Sequence, residues 1–265
     1  MEKHNPVLLI TGASGGIGKA TALLFASRGY RVYGLSRSPY DSGPVQHIPA
    51  DVTKPDTVAA AVEQVLSREG RIDLLICNAG FGISGPVEFT SLESAHRQFD
   101  VNFFGAMTCI QTVLPHMRQQ GYGRILCVSS VAAVLSIPFQ SFYSAAKAAL
   151  NALVLALANE VRPHNIQVAA LMPGDIRTGF TAAREKTLEG AQAYPALIPS
   201  VARMEQDEAN GMDPGVIARR LYQLSRKGRL KPLYSAGLQY QLFVLLQKLL
   251  PCRLINWLVG RLYAK

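Results

Sequence analysis

Six short apolar runs, most rich in β-branched residues, alternate along this chain with longer stretches of helical periodicity. That alternation constrains the fold more than any other feature. The runs are Val7–Thr11, Arg31–Leu35, Gln46–Pro49, Leu74–Asn78, Arg124–Ser129 and Gln167–Met172. Between them, apolar spacing predicts helices near Gly16–Arg28, Pro55–Arg68, Leu92–Gln119 and Tyr143–Val161. A strand that is apolar throughout, rather than at alternate positions, has both faces covered. Right-handed strand–helix–strand crossovers then place helices on both sides of one parallel sheet. The expected fold is α/β, with a doubly wound parallel sheet whose carboxyl strand ends build the site.

Composition excludes several other classes. The chain has 265 residues, 49% hydrophobic and 17% charged, which is ample for a buried core. No linker, repeat or low-complexity tract divides it, so residues 1–265 are read as a single domain. Cys77, Cys109, Cys127 and Cys252 include no C-x-x-C pair, and the first three sit in apolar runs as small core residues. The five histidines form neither H-E-x-x-H nor H-x-H, so no metal site is expected. Met1–Pro6 is polar and only Val7–Ile10 follows before a glycine loop, which is no secretory signal. No apolar run of about 18 residues is present to span a bilayer. The expectation is a cytoplasmic protein.

Two regions depart from the alternation. Gly179–Asp213, rich in Ala, Glu, Arg and Met, is expected to form a helical lid over the site, with a plain surface excursion as the alternative. Residues 238–265 form a basic, amphipathic extension. Beyond Asp213 the chain has ten basic residues and no acidic one, leaving 17 bases against 18 acids before it. Leu242, Leu245, Leu246, Leu249 and Leu250 recur at helical spacing until Pro251. Then Arg253, Asn256, Gly260 and Arg261 make a polar stripe opposite Leu254, Ile255, Trp257, Leu258 and Leu262. Two readings stay open: docking on the same protein or a second subunit, and peripheral contact with an anionic membrane surface. With its bases confined to one end, the chain is not expected to bind nucleic acid.

The first strand runs into Thr11-Gly12-Ala13-Ser14-Gly15-Gly16-Ile17-Gly18, and a helix follows. Glycines permit the tight turn and let backbone N–H groups approach a phosphate at the helix N-terminus. The same residues spell G-x-S-x-G, a nucleophile elbow with Ser14 as a serine-hydrolase nucleophile. Too little chain precedes this loop to supply an oxyanion hole, and nothing marks an acid and then a histidine behind it. Dinucleotide folds of Rossmann type that take NAD(H) place a carboxylate at the end of strand two, on the ribose 2′-hydroxyl. Here that strand ends in Ser36-Arg37. A guanidinium suits a 2′-phosphate, so NADP(H) is favoured over NAD(H).

Tyr143 and Lys147 form Y-x-x-x-K at a helix start, on one face. A neighbouring ammonium is expected to lower the phenol's pKa and so fit it for general acid/base work on a carbonyl or alcohol. Ser130, at the end of the fifth run, can hold the substrate oxygen beside the phenol, with Ser129 as the competing hydroxyl.

Taken together and in order, these motifs resemble the short-chain dehydrogenase/reductase family along nearly the whole chain, most closely its hydroxysteroid and retinol dehydrogenase side. The matching residues are the glycine loop, Asp51-Val52, Asn78-Ala79-Gly80, Asn102 within Val101–Gly105, Ser130, Tyr143 with Lys147, and Pro173–Thr178. The resemblance implies that Gly12, Ser14, Gly16, Ile17 and Gly18 hold the cofactor phosphates. It places Asp51 and Val52 at the adenine, and Asn78, Ala79 and Gly80 at the central strand and cofactor ribose. It makes Asn102 the holder of a water that links Lys147 to solvent, and Lys147 also a ligand of the nicotinamide ribose. Pro173, Gly174, Ile176 and Thr178 would border the nicotinamide. A basic residue inside the glycine loop, found in some NADP-preferring members, is missing here, which leaves Arg37 and Ser14 for the 2′-phosphate. The family also implies a homo-oligomer, dimer or tetramer, built partly through the Tyr143–Val161 helix.

The expected function is an NADP(H)-dependent oxidoreductase that interconverts a carbonyl and a secondary alcohol. Tyr143 transfers the proton, Ser130 orients the oxygen and Lys147 tunes the phenol. Val131–Leu135, Ile137, Pro138, Phe139 and Phe142 carry no base and are expected to favour a hydrophobic steroid, retinoid or lipid ketone. The alternatives are an NADP(H)-binding sensor or scaffold without turnover, and a membrane-surface lipid reductase.

Overall fold

The computed structural model describes residues 5–41 and 43–264. Met1–His4 of the polar start and Lys265, the last base of the tail, lie outside the described residues. The first half runs β1 (Val7–Thr11), α1 (Gly16–Ser27), β2 (Arg31–Ser36), β3 (Gln46–Pro49), α2 (Pro55–Glu69), β4 (Leu74–Cys77), β5 (Ile83–Ser84), α3 (Leu92–Phe99) and α4 (Gly105–Gln120). The second half runs β6 (Gly123–Val128), α5 (Ser141–Glu160), β7 (Ile166–Pro173), β8 (Glu185–Lys186), α6 (Leu197–Ala209), α7 (Pro214–Ser225), β9 (Leu233–Ala236), α8 (Leu238–Leu249) and α9 (Cys252–Tyr263).

Seven strands form one parallel sheet in the order β3-β2-β1-β4-β6-β7-β9. The order reverses between β1 and β4, and a crevice opens at the carboxyl ends of strands at such a reversal. Side chains alternate between two apolar layers. Leu8 and Ile10 of β1 join Phe25 of α1 and Leu221 of α7 on one face. Val7 and Leu9 join Val58 of α2, Val113 of α4 and Leu150 of α5 on the other. Leu8, Leu9, Ile10 and Leu75 are fully buried, each contributing about 1.5–3 kcal/mol of hydrophobic stabilisation.

The six expected strands are present, with ends shifted by a residue at most. Elsewhere the structure corrects the sequence reading. The continuous helix expected over Leu92–Gln119 is interrupted at Asp100–Phe104 by a π-helical turn that carries Asn102. The Asn102 amide nitrogen donates to the carbonyls of Phe81 and Gln98 at 2.9 and 3.0 Å, which turns this residue inward. Of Gly179–Asp213, only Leu197–Ala209 is regular helix. The first half consists of turns plus β8, which pairs with β5 in a second, two-stranded sheet. Helix α7 and strand β9 were not anticipated. Helix α5 is long and apolar enough to cross a membrane by length and composition. Here it packs on β7 and buries Leu150, Val154 and Leu157 in the core.

Candidate active site

The site grows from the end of β1. Gly12 and Gly16 have φ of +68° and +49°, a left-handed conformation that glycine adopts without strain. The Thr11 hydroxyl accepts hydrogen bonds from the Asn78 and Ala79 amides, both at 2.9 Å. The Asn78 side chain donates back to the carbonyls of Thr11 and Gly12 at 3.0 and 3.2 Å. The loop is thus stitched to the end of β4. Helix α1 starts with no side-chain cap and no acid in its first turn, so its free amides and dipole are available to a phosphate. These features fit a dinucleotide.

A cleft of about 820 Å³ runs from this loop across the sheet. Gly12, Ser14, Gly16, Ile17, Arg37, Asp51 and Val52 line one end, and Asn78, Ala79 and Gly80 the middle. Gly18 is an exception to the expected set, being buried in α1 away from the cleft. A β-carbon there would stand 2.0 Å from the Gly12 carbonyl oxygen, so its role is close approach between helix and loop. At the end of β2 the Ser36 hydroxyl is engaged by the Ser38 carbonyl and by His47 Nε2, both at 2.9 Å, and Arg37 extends into the cleft exposed. Burial raises the Asp51 carboxyl, but the Thr53 amide and hydroxyl, then Arg37 and Lys54, outweigh it and hold the group below its ordinary value.

The other end of the cleft is assembled by β6 and α5. Ser130 and Tyr143 both line the cleft, and the Ser130 hydroxyl accepts from the Ala132 amide at 3.1 Å. The Ser129 hydroxyl, the competing candidate, is engaged elsewhere, donating to the Lys147 carbonyl at 3.3 Å. Burial pushes the Tyr143 phenol up to about 12, with Ser130 pulling in the opposite direction. The sequence argument expected Lys147 to lower this phenol. Instead Lys147 is buried, and its ammonium donates to the Val128 carbonyl at 3.0 Å. Burial brings the ammonium down to about 8. Asn102 keeps one unpartnered buried oxygen, Oδ1. It lies 2.6 Å from where a Gly80 β-carbon would sit, and Lys147 Nζ lies 3.5 Å from the same point.

The far wall is made by the end of β7 and the segment after it. Pro173, Gly174, Ile176 and Thr178 line it as expected. Sequence reasoning missed Asp175, Phe180 and Glu208, which also line the cleft. Asp175 accepts from the Tyr240 hydroxyl of α8 at 2.6 Å, and burial raises its carboxyl. Glu208 of α6 is held by a fully buried Arg184 and by the Thr181 hydroxyl at 2.5 Å. The Phe180 ring lies 5.7 Å from that of Tyr143. Asp175 stood inside a recognised motif, whereas Phe180, Arg184 and Glu208 belong to a stretch with no periodic signal. Of the apolar residues expected at the substrate, Val131, Ala132 and Ile137 line the cleft. Val134 packs instead against the core near Tyr240, and Phe139 lies 6.3 Å from the ring of Tyr194. Arg97 also lines the cleft, so the wall is mixed rather than free of bases.

Comparison with known proteins agrees with this geometry. Residues 6–189 match the short chain dehydrogenase family, and the chain belongs to it. It is thereby an NAD(P)-dependent oxidoreductase of the alcohol–carbonyl class. It is 42% identical over 212 residues to a 3-ketodihydrosphingosine reductase of Bacteroides thetaiotaomicron, covering 78% of this chain and 79% of that protein. It is 34% identical over 191 residues to human 17-beta-hydroxysteroid dehydrogenase type 1, covering 66% of this chain and 58% of that enzyme. A solved short-chain dehydrogenase from Streptomyces avermitilis superposes with a TM-score of 0.84 at 29% identity, covering 92% of each chain. The elbow reading of Ser14 gives way to the loop's role in this family. Among the described residues the Ser14 hydroxyl has no histidine partner.

Proposed function

We propose that this protein is an NADP(H)-dependent reductase of a lipid-like ketone, with Tyr143 as the proton donor. Arg37 carries the cofactor reading: it follows a strand end that bears no carboxylate and extends into the adenosine end of the cleft. A planar cation there pairs with a 2′-phosphate, which a carboxylate would repel. Bound in the cleft, the nicotinamide supplies or accepts the hydride. Ser130 orients the substrate oxygen, and Lys147 and Asn102 prepare the proton path behind the phenol. Burial holds the phenol up near 12 in the cofactor-free protein, so it is protonated at neutral pH and able to give its proton to the oxygen of a carbonyl being reduced.

The substrate class is supported by the relative named as a 3-ketodihydrosphingosine reductase and by the partly apolar wall of Val131, Ala132, Ile137 and Phe180. The test is a titration of the purified protein with NADPH and, separately, NADH, followed by cofactor fluorescence. NADPH-linked turnover of 3-ketodihydrosphingosine, a steroid ketone and a short-chain ketone is then compared. Tight NADPH binding and turnover of the long-chain ketone are expected. Preference for NADH, or turnover of the short ketone alone, overturns the reading.

A further inference from the structure

Helices α8 and α9 are attached to the rest of the molecule by one face each. Tyr240 and Val244 of α8 are buried, while Ile255, Val259 and Tyr263 of α9 face the protein, Tyr263 donating to Asp207 of α6 at 3.1 Å. The opposite faces are open. On α8, Leu238, Leu242, Leu245 and Leu249 form a single stripe at i, i+4, i+7 and i+11, 87%, 53%, 51% and 70% exposed. On α9, Leu254, Trp257 and Leu258 are exposed, and Arg261 lies over the Trp257 ring at 5.2 Å. Of the apolar stripe, Ile255 is half-buried against the protein, while Leu254, Trp257, Leu258 and Leu262 stay open. A monomer in water does not ordinarily leave so many large apolar side chains contiguous along two successive helices.

Charge decides what covers them. Lys248, Arg253 and Arg261 are exposed on these two helices, and no acidic residue follows Asp213. A second copy of the same surface would bring like charges together, whereas an anionic bilayer surface meets leucines with acyl chains and bases with headgroups. Arginine beside an interfacial tryptophan, its stem along apolar surface and its head free, suits the same boundary.

The helices also adjoin the cleft. The Tyr240 hydroxyl holds Asp175, and a β-carbon on Gly174 would stand 2.2 Å from the Tyr240 ring. Gly174 and Asp175 both line the cleft, as does Glu208 on the helix that receives α9. We infer that α8 and α9 form a peripheral docking surface for an anionic lipid bilayer, which sets the catalytic cleft beside the membrane interface. This goes beyond the proposed activity and does not depend on it.

Trp257 is the single tryptophan of the chain, so its emission reports on this surface directly. The full-length protein is mixed with vesicles of phosphatidylcholine alone and of phosphatidylcholine with about one-third phosphatidylglycerol, and bound protein is measured by flotation. Expected are flotation and a blue shift of Trp257 with the anionic vesicles only, both weakened by 0.5 M salt. A Leu245→Glu/Leu249→Glu variant, which retains Trp257 and touches neither Tyr240 nor Val244, should lose flotation at least tenfold while its circular dichroism and nucleotide binding stay unchanged. Absence of flotation with anionic vesicles, or equal binding to neutral ones, overturns the inference. So does a wild-type dimer in sedimentation that the double variant converts to monomer without any change in vesicle binding.

Discussion

Lys147 donates from its buried ammonium to the Val128 carbonyl at 3.0 Å, and so stands 5.8 Å from the centre of the Tyr143 ring rather than against the phenol. The i, i+4 spacing does put both residues on one face of α5. The end of β6 decides where the lysine's head goes, because Val128 is the last residue of that strand and its carbonyl needs a donor. Each of the two groups is therefore shifted mainly by its own burial, the phenol up and the ammonium down.

That shift makes cofactor-free stability depend on pH through Lys147. Its ordinary value of 10.5 applies to the unfolded chain, and about 8 to the folded one. Between these values the unfolded state holds the extra proton, so this group's contribution to stability rises with pH across that window. Below pH 8 both states are protonated and the full penalty, about 3 kcal/mol at most, is present. Lys147→Met should raise the unfolding free energy at pH 7 relative to wild type, with the gain shrinking as pH climbs towards 10. Urea melts of both proteins at pH 7, 8, 9 and 10 check this. A difference that does not change with pH would sink it.

Tyr143→Phe removes the proposed proton donor and keeps an aromatic ring beside Phe180. Turnover should fall roughly 10²–10⁴-fold, the range for loss of a positioned acid. NADPH affinity, measured by fluorescence titration, should stay nearly unchanged. Residual activity above a tenth of wild type would assign proton transfer to another group.

Gly80→Ala tests the convergence of Asn102 and Lys147. The added methyl would meet Asn102 Oδ1 at 2.6 Å, closer than real contacts allow, and would reach 3.5 Å from Lys147 Nζ. The Asn102 amide is anchored to Phe81 and Gln98, so its carbonyl cannot swing away freely. The expected outcome is a turnover loss of at least tenfold with the melting temperature lowered only modestly. Turnover equal to wild type would remove Asn102 from the proton path.

Legibility in the sequence followed the kind of signal each region carries. Apolar runs marked five of the seven main-sheet strands, because burial on both faces leaves no alternation to misread; the edge strand β3, with only Ile48 buried, was found from its place in the alternation. Leu233–Ala236 escaped as a strand: it is short, half-buried and lies directly behind Lys231-Pro232, with no helical pattern recognised before it. The π-helical turn at Asn102 was invisible because apolar spacing continues across it. Most cleft residues that belong to motifs were named from the sequence, with Asp175 the exception inside Pro173–Thr178. Gly18 was expected at the cofactor phosphates but lies off the cleft lining, since sequence spacing does not distinguish a glycine needed for a ligand's approach from one needed for a helix's. Phe180, Arg184 and Glu208 come together only through the fold of Gly179–Asp213, where a buried ion pair bridges 24 residues. The sequence marked the apolar stripe of α9 but not which of its residues dock, because that depends on where α6 lies.

Arg37→Glu tests the cofactor preference. Arg37 lines the cleft where β2 ends, and the neighbouring Ser36 hydroxyl is already engaged by Ser38 and His47. Among the residues lining this end, Arg37 is the cation that would meet a 2′-phosphate if the proposed NADP(H) reading holds. Loss of a charge-assisted pair of this kind costs about 1.5–3 kcal/mol, or roughly 10–100-fold in affinity. The new carboxylate adds repulsion of the phosphate and offers an acceptor to a free ribose 2′-hydroxyl. The dissociation constant for NADPH should rise at least tenfold while that for NADH stays the same or falls. Because Arg37 is exposed, the wild-type preference should also narrow as salt is raised from 50 to 500 mM, through screening on the scale of a Debye length of about 10 Å at 0.1 M. Paired fluorescence titrations of both proteins at the two salt levels provide the measurement. An unchanged NADPH-to-NADH ratio in the variant would show that selection against NADH lies elsewhere in the cleft.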